Sequence, residues 1–197
     1  MPLFDLASLQ KPLPATTGSG LVLKERFLNV HLKKIESIKQ LIGQAPGMDE
    51  VFCLWTLNSF NAFTFIPFMI KEHGRIDELI LSTYAISSRI LHAFSSYIDK
   101  GLIRRVHITI SDSIKYRQIK NFEELTLMQS KYPDFTVSYG WNHSKITLIQ
   151  NSVGYFVIEG SGNYSENAQH EQYMFLNSKN LYMFRKTCIQ SVQNGTL

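Results

Sequence analysis

The chain alternates between two spacings of apolar residues from Val51 onward. Short apolar runs predict buried strands, and apolar residues repeating every three or four positions predict helices between them. The predicted strands cover residues 51–57, 77–83, 106–110, 135–139 and 172–176. The predicted helices cover residues 59–73, with Pro67 expected to kink or shorten the helix, and 87–101, 113–130 and 179–190. This order predicts an α/β sandwich in which a mixed sheet is flanked by helices.

The first part of the chain has a different pattern. Residues 1–24 contain two prolines and a Gly-Ser-Gly sequence, which predict an extended N-terminal arm. Residues 25–43 carry apolar side chains at helical spacing and end at Gly43, so a leading helix is expected there. We therefore predict an arm over 1–24 and one domain over 25–197.

A β-hairpin is predicted where polar residues with catalytic potential are concentrated. Ile146–Ile149 and Tyr155–Ile158 are two apolar runs, and the four residues 151–154 between them have turn composition. If Gln150 pairs with Tyr155, Lys145 comes to lie beside Gly160 and His143 beside Gly162. The hairpin thus gathers an imidazole and an ammonium near the Ser161 hydroxyl and the Asn163 amide. This combination favours anion binding and offers a nucleophile.

These residues also resemble a known signature. His143-Ser144-Lys145, Gly160-Ser161-Gly162-Asn163 and Glu171 are similar to the HxK…GSxN…E pattern, the HKD motif, of the phospholipase D superfamily. The resemblance implies a phospholipase-D-like domain over about residues 50–190. It also implies a phosphohistidine intermediate at His143 and phosphate binding by Lys145, Ser161 and Asn163. Glu171 would hold the other nitrogen of the histidine ring, and no metal or other cofactor is expected.

One motif position departs from the superfamily pattern. Gln150 stands where the motif usually has an aspartate, so one carboxylate of the usual network is missing. This departure leaves open a catalytically degenerate protein that binds nucleic acid without cutting it. The continuation Glu171-Gln172-Tyr173 resembles members of the superfamily from phages and mobile elements, for which activity is not assured.

The number of motifs bears on assembly. Enzymes of the superfamily use two HxK motifs, and this chain has one that is followed by the GSxN pattern. A two-fold homodimer would bring the same surface of both subunits together and supply the second histidine. The resemblance therefore implies a hydrolase, a phosphodiesterase with its active site at an isologous interface. A nuclease is the first reading and a lipid phosphodiesterase a weaker one.

Charge and composition add to this picture. The net charge of +4 and a pI near 9.0 mildly favour a polyanionic partner such as DNA. Two cysteines without a metal or disulfide pattern indicate a reducing compartment. The sequence has neither a signal-peptide pattern nor an apolar run long enough for a membrane span, so we expect a cytoplasmic protein without a membrane partner.

Residues flanking the motif have less specific interpretations. We expect Trp141 to belong to the core or a pocket wall rather than to stack on bases, and His170 to be a surface neighbour of Glu171. The residues Lys115, Arg117 and Lys120 could form a basic strip beside the site, although a solvated helix face is slightly favoured.

Overall fold

The computed structural model describes residues 20–25, 33–35, 38–48, 50–57, 61–165 and 170–194. Within these ranges, nine strands form one sheet in the order β2-β1-β3-β9-β8-β7-β4-β5-β6. The strands are β1 Gly20–Glu25, β2 Lys33–Ile35, β3 Val51–Leu57, β4 Ile76–Thr83, β5 Ile103–Ser111, β6 Phe135–Gly140, β7 Ile146–Asn151, β8 Gly154–Gly160 and β9 His170–Asn177. The helices are α1 Ile38–Ile42, α2 Phe65–His73, α3 Ser88–Asp99, α4 Ile114–Arg117, α5 Ile119–Lys131 and α6 Lys179–Asn194.

The sheet is mixed, as the sequence predicts. Strands β4, β5 and β6 are parallel, and the remaining neighbours pair in antiparallel fashion. The main core fills the space between one sheet face and the helices α1, α2, α3 and α5. A smaller cluster built from Ile80, Leu148, Val157, Tyr182 and Ile189 joins α6 to the opposite face. Helices therefore flank the sheet on both sides, and the predicted sandwich is confirmed.

The predicted hairpin is confirmed in its register. Gln150 pairs with Tyr155 in the antiparallel ladder of β7 and β8. The turn at Ser152 and Val153 is held by Asn151, whose Oδ1 accepts hydrogen bonds from the backbone N–H groups of Val153 and Gly154 at 3.0 and 3.1 Å. Gly160 donates its N–H to the carbonyl of Lys145 at 3.2 Å. The two halves of the motif are thus brought together at one end of the hairpin.

The N-terminal part differs from expectation. Residues 20–24, which the sequence assigns to the arm, lie in β1 and pair with β3. Residues 33–35, expected inside a helix, form β2 and pair with β1. Only 38–42 of the predicted helix 25–43 is helical among the described residues, because strand pairing overrides the apolar spacing. The rest of the arm and residues 26–32 lie outside the described residues, and the domain boundary remains a prediction.

Two later helices are also shorter than expected. Helix α2 begins at Phe65 instead of residue 59, so Pro67 lies in its first turn, where a backbone N–H would have no partner within the helix. The expected helix 113–130 is interrupted at Gln118, which separates α4 from α5. The interruption matters because α4 lies close to the candidate site.

Candidate active site

The predicted site residues meet along one edge of the sheet, which is formed by the carboxyl ends of β4, β5 and β6 and not by an outermost strand. Parallel strands β4, β5 and β6 end there at Thr83, Ser111 and Gly140. Ser82 of β4 pairs with Ile146 at the start of β7, and Gly160 at the end of β8 pairs with Tyr173 of β9. The carboxyl ends of parallel strands commonly form ligand sites in α/β sheets. Here the antiparallel hairpin adds its own polar residues to the same edge.

The loop that carries His143 is anchored by the side chain of Asn142. This side chain is buried, and its Nδ2 donates hydrogen bonds to the backbone oxygens of Thr83 and Thr109 at 3.1 and 3.2 Å. Its Oδ1 accepts from the backbone N–H and the hydroxyl of Ser144 at 3.1 and 2.8 Å, and from the Ser82 hydroxyl at 3.3 Å. Asn142 thereby fixes the loop to the ends of β4 and β5. Its role was not apparent from the sequence.

His143 is exposed at the end of this loop and contacts Lys145. The Lys145 Nζ lies 3.0 Å from His143 Nδ1 and donates a hydrogen bond to the His143 backbone oxygen at 2.7 Å. Partial burial lowers the pKa of Lys145 below its ordinary value, while the charge of Glu171 and Tyr84 opposes that shift. The imidazole and the ammonium therefore form one polar unit that faces solvent.

Ser161 and Glu171 form a second pair. The Ser161 hydroxyl donates a hydrogen bond to the Glu171 carboxylate and accepts one from the backbone N–H of Gln172 at 3.1 Å. Glu171 lies within β9, close enough to Lys145 for their charges to interact. The expected contact between the Glu171 carboxylate and the His143 ring is not found in the described part of this chain. Glu171 instead accepts a hydrogen bond from Ser161, and the group beside His143 Nδ1 is the Lys145 ammonium.

Asn163 is held by the end of β4. Its Oδ1 accepts hydrogen bonds from the Thr83 hydroxyl at 3.4 Å and from the Tyr84 backbone N–H at 3.3 Å. These bonds orient the amide so that its NH₂ group is on the opposite side of the side chain from β4. Asn163 is consequently positioned as a hydrogen-bond donor at the same edge as His143.

Tyr84 contacts both His143 and Asn163, and the sequence pattern did not indicate this role. Its ring centroid lies 5.0 Å from that of His143, with the ring planes tilted by 51°. Its hydroxyl accepts a hydrogen bond from Arg117 Nη1 of α4 at 2.9 Å. The available signal was its position directly after the last residue of a parallel strand. To use this signal, one must know which strands are parallel neighbours in the sheet, and the sequence pattern leaves the order of the strands open.

Gln150 lies at the far end of the hairpin. It is five positions after Lys145, a distance of about 16 Å along an extended strand. It pairs with Glu78 of β4, whose carboxylate accepts hydrogen bonds from Lys186 and Tyr182 at 2.6 and 2.7 Å. The motif position that departs from the superfamily pattern is therefore remote from His143.

Other flanking residues are also resolved by the structure. The expectation that Trp141 belongs to the core or a pocket wall is wrong, because its side chain is 98% exposed. His170 is exposed and accepts a hydrogen bond at Nδ1 from Trp55 Nε1 at 3.0 Å. Within the described residues, no group of three His, Cys, Asp or Glu side chains is arranged to hold a metal ion. No helix in the described ranges combines the length and the apolar character needed to cross a bilayer.

Comparison with known proteins identifies the fold. The sequence matches no family model and no curated protein. The structure is similar to a phospholipase D family member, Nuc, from Salmonella typhimurium, with a TM-score of 0.54 and 17% identity over 73% of this chain and 93% of that one. The polyphosphate kinase of Porphyromonas gingivalis gives 0.53 and 12% identity, covering 75% of this chain and 26% of that one. Phosphatidylserine synthase of Haemophilus influenzae Rd KW20 gives 0.50 and 12%, covering 74% and 38%.

These comparisons define the class of protein by its architecture. The chain has the phospholipase-D-like fold, as the sequence predicts. It spans nearly all of Nuc but only about a quarter and two fifths of the other two chains. The match to the polyphosphate kinase and to the phosphatidylserine synthase is therefore a match to one part of each chain.

Proposed function

We propose that the protein is a phosphodiesterase, most specifically a nuclease, whose active site is completed by a homodimer. The observation that carries this proposal is the convergence of His143, Lys145 and Asn163 at one exposed sheet edge. An imidazole can act as a nucleophile towards phosphorus, and the two nitrogen donors can bind phosphoryl oxygens. The proposed mechanism uses two histidines, one as the nucleophile and one as the general acid, and one chain supplies only one of them.

The first half-reaction uses both histidines of the dimer. A ring nitrogen of His143 attacks phosphorus, and a P–N bond forms while the P–O bond to the leaving group breaks. His143 of the partner subunit donates its proton to the leaving oxygen. Negative charge on the non-bridging oxygens is balanced by Lys145 and hydrogen-bonded by Asn163. A phosphate bound there would draw the Lys145 ammonium away from His143 Nδ1.

The second half-reaction regenerates the enzyme. His143 of the partner subunit, now neutral, takes a proton from water, and the water oxygen attacks phosphorus as the P–N bond breaks. The Ser161 hydroxyl donates its one proton to the Glu171 carboxylate in this structure, so it can bind a phosphate oxygen only by exchanging that hydrogen bond for one to the substrate. A carboxylate bonded to the attacking imidazole remains a prediction of the superfamily resemblance.

The choice of nucleic acid over lipid rests on charge. The net charge of +4 favours a polyanionic substrate, and the cations Lys115 and Arg117 lie on α4 beside the site. Gln150 offers little support for a degenerate binding protein, because it lies about 16 Å from the start of the hairpin. The motif residues at the site edge are those that the mechanism requires.

The proposal is tested by assaying the full chain against several diesters in the presence and absence of EDTA. The substrates are bis-p-nitrophenyl phosphate, plasmid, single-stranded DNA, RNA and phosphatidylcholine vesicles. We expect cleavage of nucleic acid that persists in EDTA, because every group in the mechanism belongs to the protein. Turnover that disappears in EDTA and returns with magnesium would place the chemistry elsewhere. Binding without turnover of any diester would support the degenerate alternative.

A further inference from the structure

A surface of exposed aromatic and basic side chains lies beside the candidate active site. Its members are Lys115, Tyr116 and Arg117 of α4 and Trp141 of the loop that carries His143, and we call it the α4–Trp141 surface. Trp141 is 98% exposed and Tyr116 is 81% exposed. Full exposure of a tryptophan costs hydrophobic free energy that burial would recover, so a binding role is the economical explanation.

Contacts place this surface against the site on two sides. Arg117 donates to the Tyr84 hydroxyl at 2.9 Å, and the Tyr84 ring lies 5.0 Å from the His143 ring. Lys115 Nζ lies 4.9 Å from the centre of the Tyr139 ring, two residues before Trp141. The backbone N–H of Asp112, just before α4, donates to the Gly140 carbonyl, just before Trp141, at 3.0 Å. Helix α4 and the Trp141 loop are therefore adjacent.

The spacing along the loop relates Trp141 to the proposed reaction centre. Trp141 is two positions before His143, so their Cα atoms are at most about 7 Å apart. A base next to a phosphate held at His143 is within reach of an indole at that distance. Tyr116 and the two cations, Lys115 and Arg117, lie on the adjacent helix α4.

We propose that the α4–Trp141 surface binds single-stranded nucleic acid, with Trp141 stacking on a base next to the phosphate held at His143. Aromatic side chains can stack on unpaired bases, whereas bases in a duplex are already stacked on each other. The exposed rings and cations supply the two kinds of group that a single strand requires, stacking surfaces for its bases and positive charge for its phosphates. The proposal rests on the proposed function for the position of the phosphate and adds the class of substrate.

The test measures binding, so that it does not depend on turnover. Every variant is made in a His143→Asn background, and affinities are measured by fluorescence anisotropy for a labelled single strand and for a duplex of equal length. Trp141→Ala should weaken single-strand binding by between about fivefold and a hundredfold, the range for loss of one base stack. Binding of the duplex should weaken by less than about twofold. Trp141→Phe should restore most of the single-strand affinity because it restores a stacking ring.

Phe184→Ala is the matched control, because Phe184 is an aromatic residue that is 57% exposed on α6. It should leave both affinities unchanged. Intrinsic tryptophan fluorescence gives a second readout, because Trp55 and Trp141 are the two tryptophans of the chain. Single-strand binding should quench fluorescence with Trp141 present and quench much less in Trp141→Ala.

Three results would overturn the proposal. Equal losses of single-strand and duplex affinity would mean that Trp141 does not read unpaired bases. A Trp141→Ala protein that sediments as a monomer while the parent is a dimer would make Trp141 an interface residue. Loss of binding to anionic lipid vesicles with unchanged nucleic-acid affinity would assign the surface to a membrane. If selective single-strand binding persists but no diester is cleaved by the wild type, the proposed function fails and this inference stands.

Discussion

At the scale of single residues, the contact between Lys145 and His143 defines what each side chain can do. The Lys145 ammonium is within hydrogen-bonding distance of both the ring nitrogen Nδ1 and the backbone oxygen of His143. It therefore orients the ring in this structure, and it can turn to a phosphate oxygen when a substrate binds. The two residues should separate chemistry from binding when they are replaced one at a time.

His143→Asn should abolish diester turnover while retaining most of the affinity for nucleic acid. Asparagine keeps a similar size, but it has neither the nucleophilic nitrogen nor the transferable proton. Lys145→Ala should weaken nucleic-acid binding about tenfold or more, because one charge-assisted hydrogen bond is lost. Initial rates and affinities measured on the same preparations test both statements.

Unimpaired cleavage by His143→Asn would exclude the phosphohistidine mechanism. The matched control is His92→Asn, which replaces an exposed histidine of α3. It should cleave and bind as the wild type does.

Some residues of the site could be predicted from the sequence and others could not. The hairpin register follows from two apolar runs and a short turn, so Lys145 beside Gly160 could be placed by counting residues. Asn142 and Tyr84 depend on where β4 and β5 end, and this requires the order of strands in the sheet. The exposure of Trp141 is set by the same loop geometry. Long-range pairing is not encoded in local periodicity.

At the scale of elements, the site depends on a close approach between β8 and β9. A Cβ atom at Gly160 would lie 2.3 Å from the Gln172 backbone oxygen and 2.5 Å from the Tyr173 ring. Gln172 and Tyr173 lie in β9 directly after Glu171, and Gly160 directly precedes Ser161. The strand pair can therefore bring Ser161 and Glu171 together only if residue 160 has no side chain.

Gly160→Ala should lower the free energy of unfolding by about 2–3 kcal/mol, because the added methyl group forces the two strands apart. Diester turnover should fall further than stability alone explains, since Ser161 and Glu171 would separate. Chemical denaturation and initial rates measure the two effects. Gly47→Ala is the control, since the nearest atom to its added Cβ would be at an ordinary contact distance of 3.4 Å. A fully stable, active Gly160→Ala protein would contradict the described packing.

Helix α6 is fastened to the sheet by charged groups. Glu78 of β4 accepts hydrogen bonds from Lys186 and Tyr182, and Arg185 forms two hydrogen bonds with Glu159 of β8. Burial raises the pKa of Glu78, but the bonds from Lys186 and Tyr182 outweigh it and hold the pKa below the ordinary value of 4.5. The ionised carboxylate is thus favoured in the folded state.

Glu78→Gln should destabilise the protein by about 2 kcal/mol at neutral pH, because hydrogen bonds to a charged group are lost. A lowered folded pKa stabilises the fold above the unfolded value near 4.5, and that contribution is lost as pH falls through the folded pKa. The difference between wild type and variant should therefore shrink below about pH 4.5. Urea unfolding at several pH values measures this difference in the free energy of unfolding. The control is Glu123→Gln, which replaces an exposed glutamate of α5. A difference that is constant with pH would contradict the assignment.

From β3 onward the sequence predicted the type of each strand and long helix, apart from the start of α2 and the break at Gln118, whereas it missed strands β1 and β2. Apolar runs such as Val51–Leu57 bury alternate side chains on one face of the strand, and the apolar run itself is visible in the local sequence. Residues 33–35 have helical spacing in the sequence, yet they form the outermost strand of the sheet by pairing with β1. Edge pairing of a short segment depends on its neighbour and so escapes a local pattern.

At the scale of the whole molecule, 73% of the chain matches 93% of Nuc, and the sequence contains one HxK motif that is followed by the GSxN pattern. His143 lies exposed at the sheet edge, where a two-fold axis could bring two copies together. In the proposed mechanism, catalysis needs His143 from both subunits.

The most direct test is the activity of a heterodimer with one wild-type and one His143→Asn subunit. Two different affinity tags allow its isolation, and a wild-type dimer carrying both tags is the control. If both histidines serve one phosphate, every heterodimer lacks either the nucleophile or the general acid. Its rate of diester hydrolysis should then be close to background. A heterodimer with about half of the wild-type rate would mean that each subunit works alone, which contradicts the shared site.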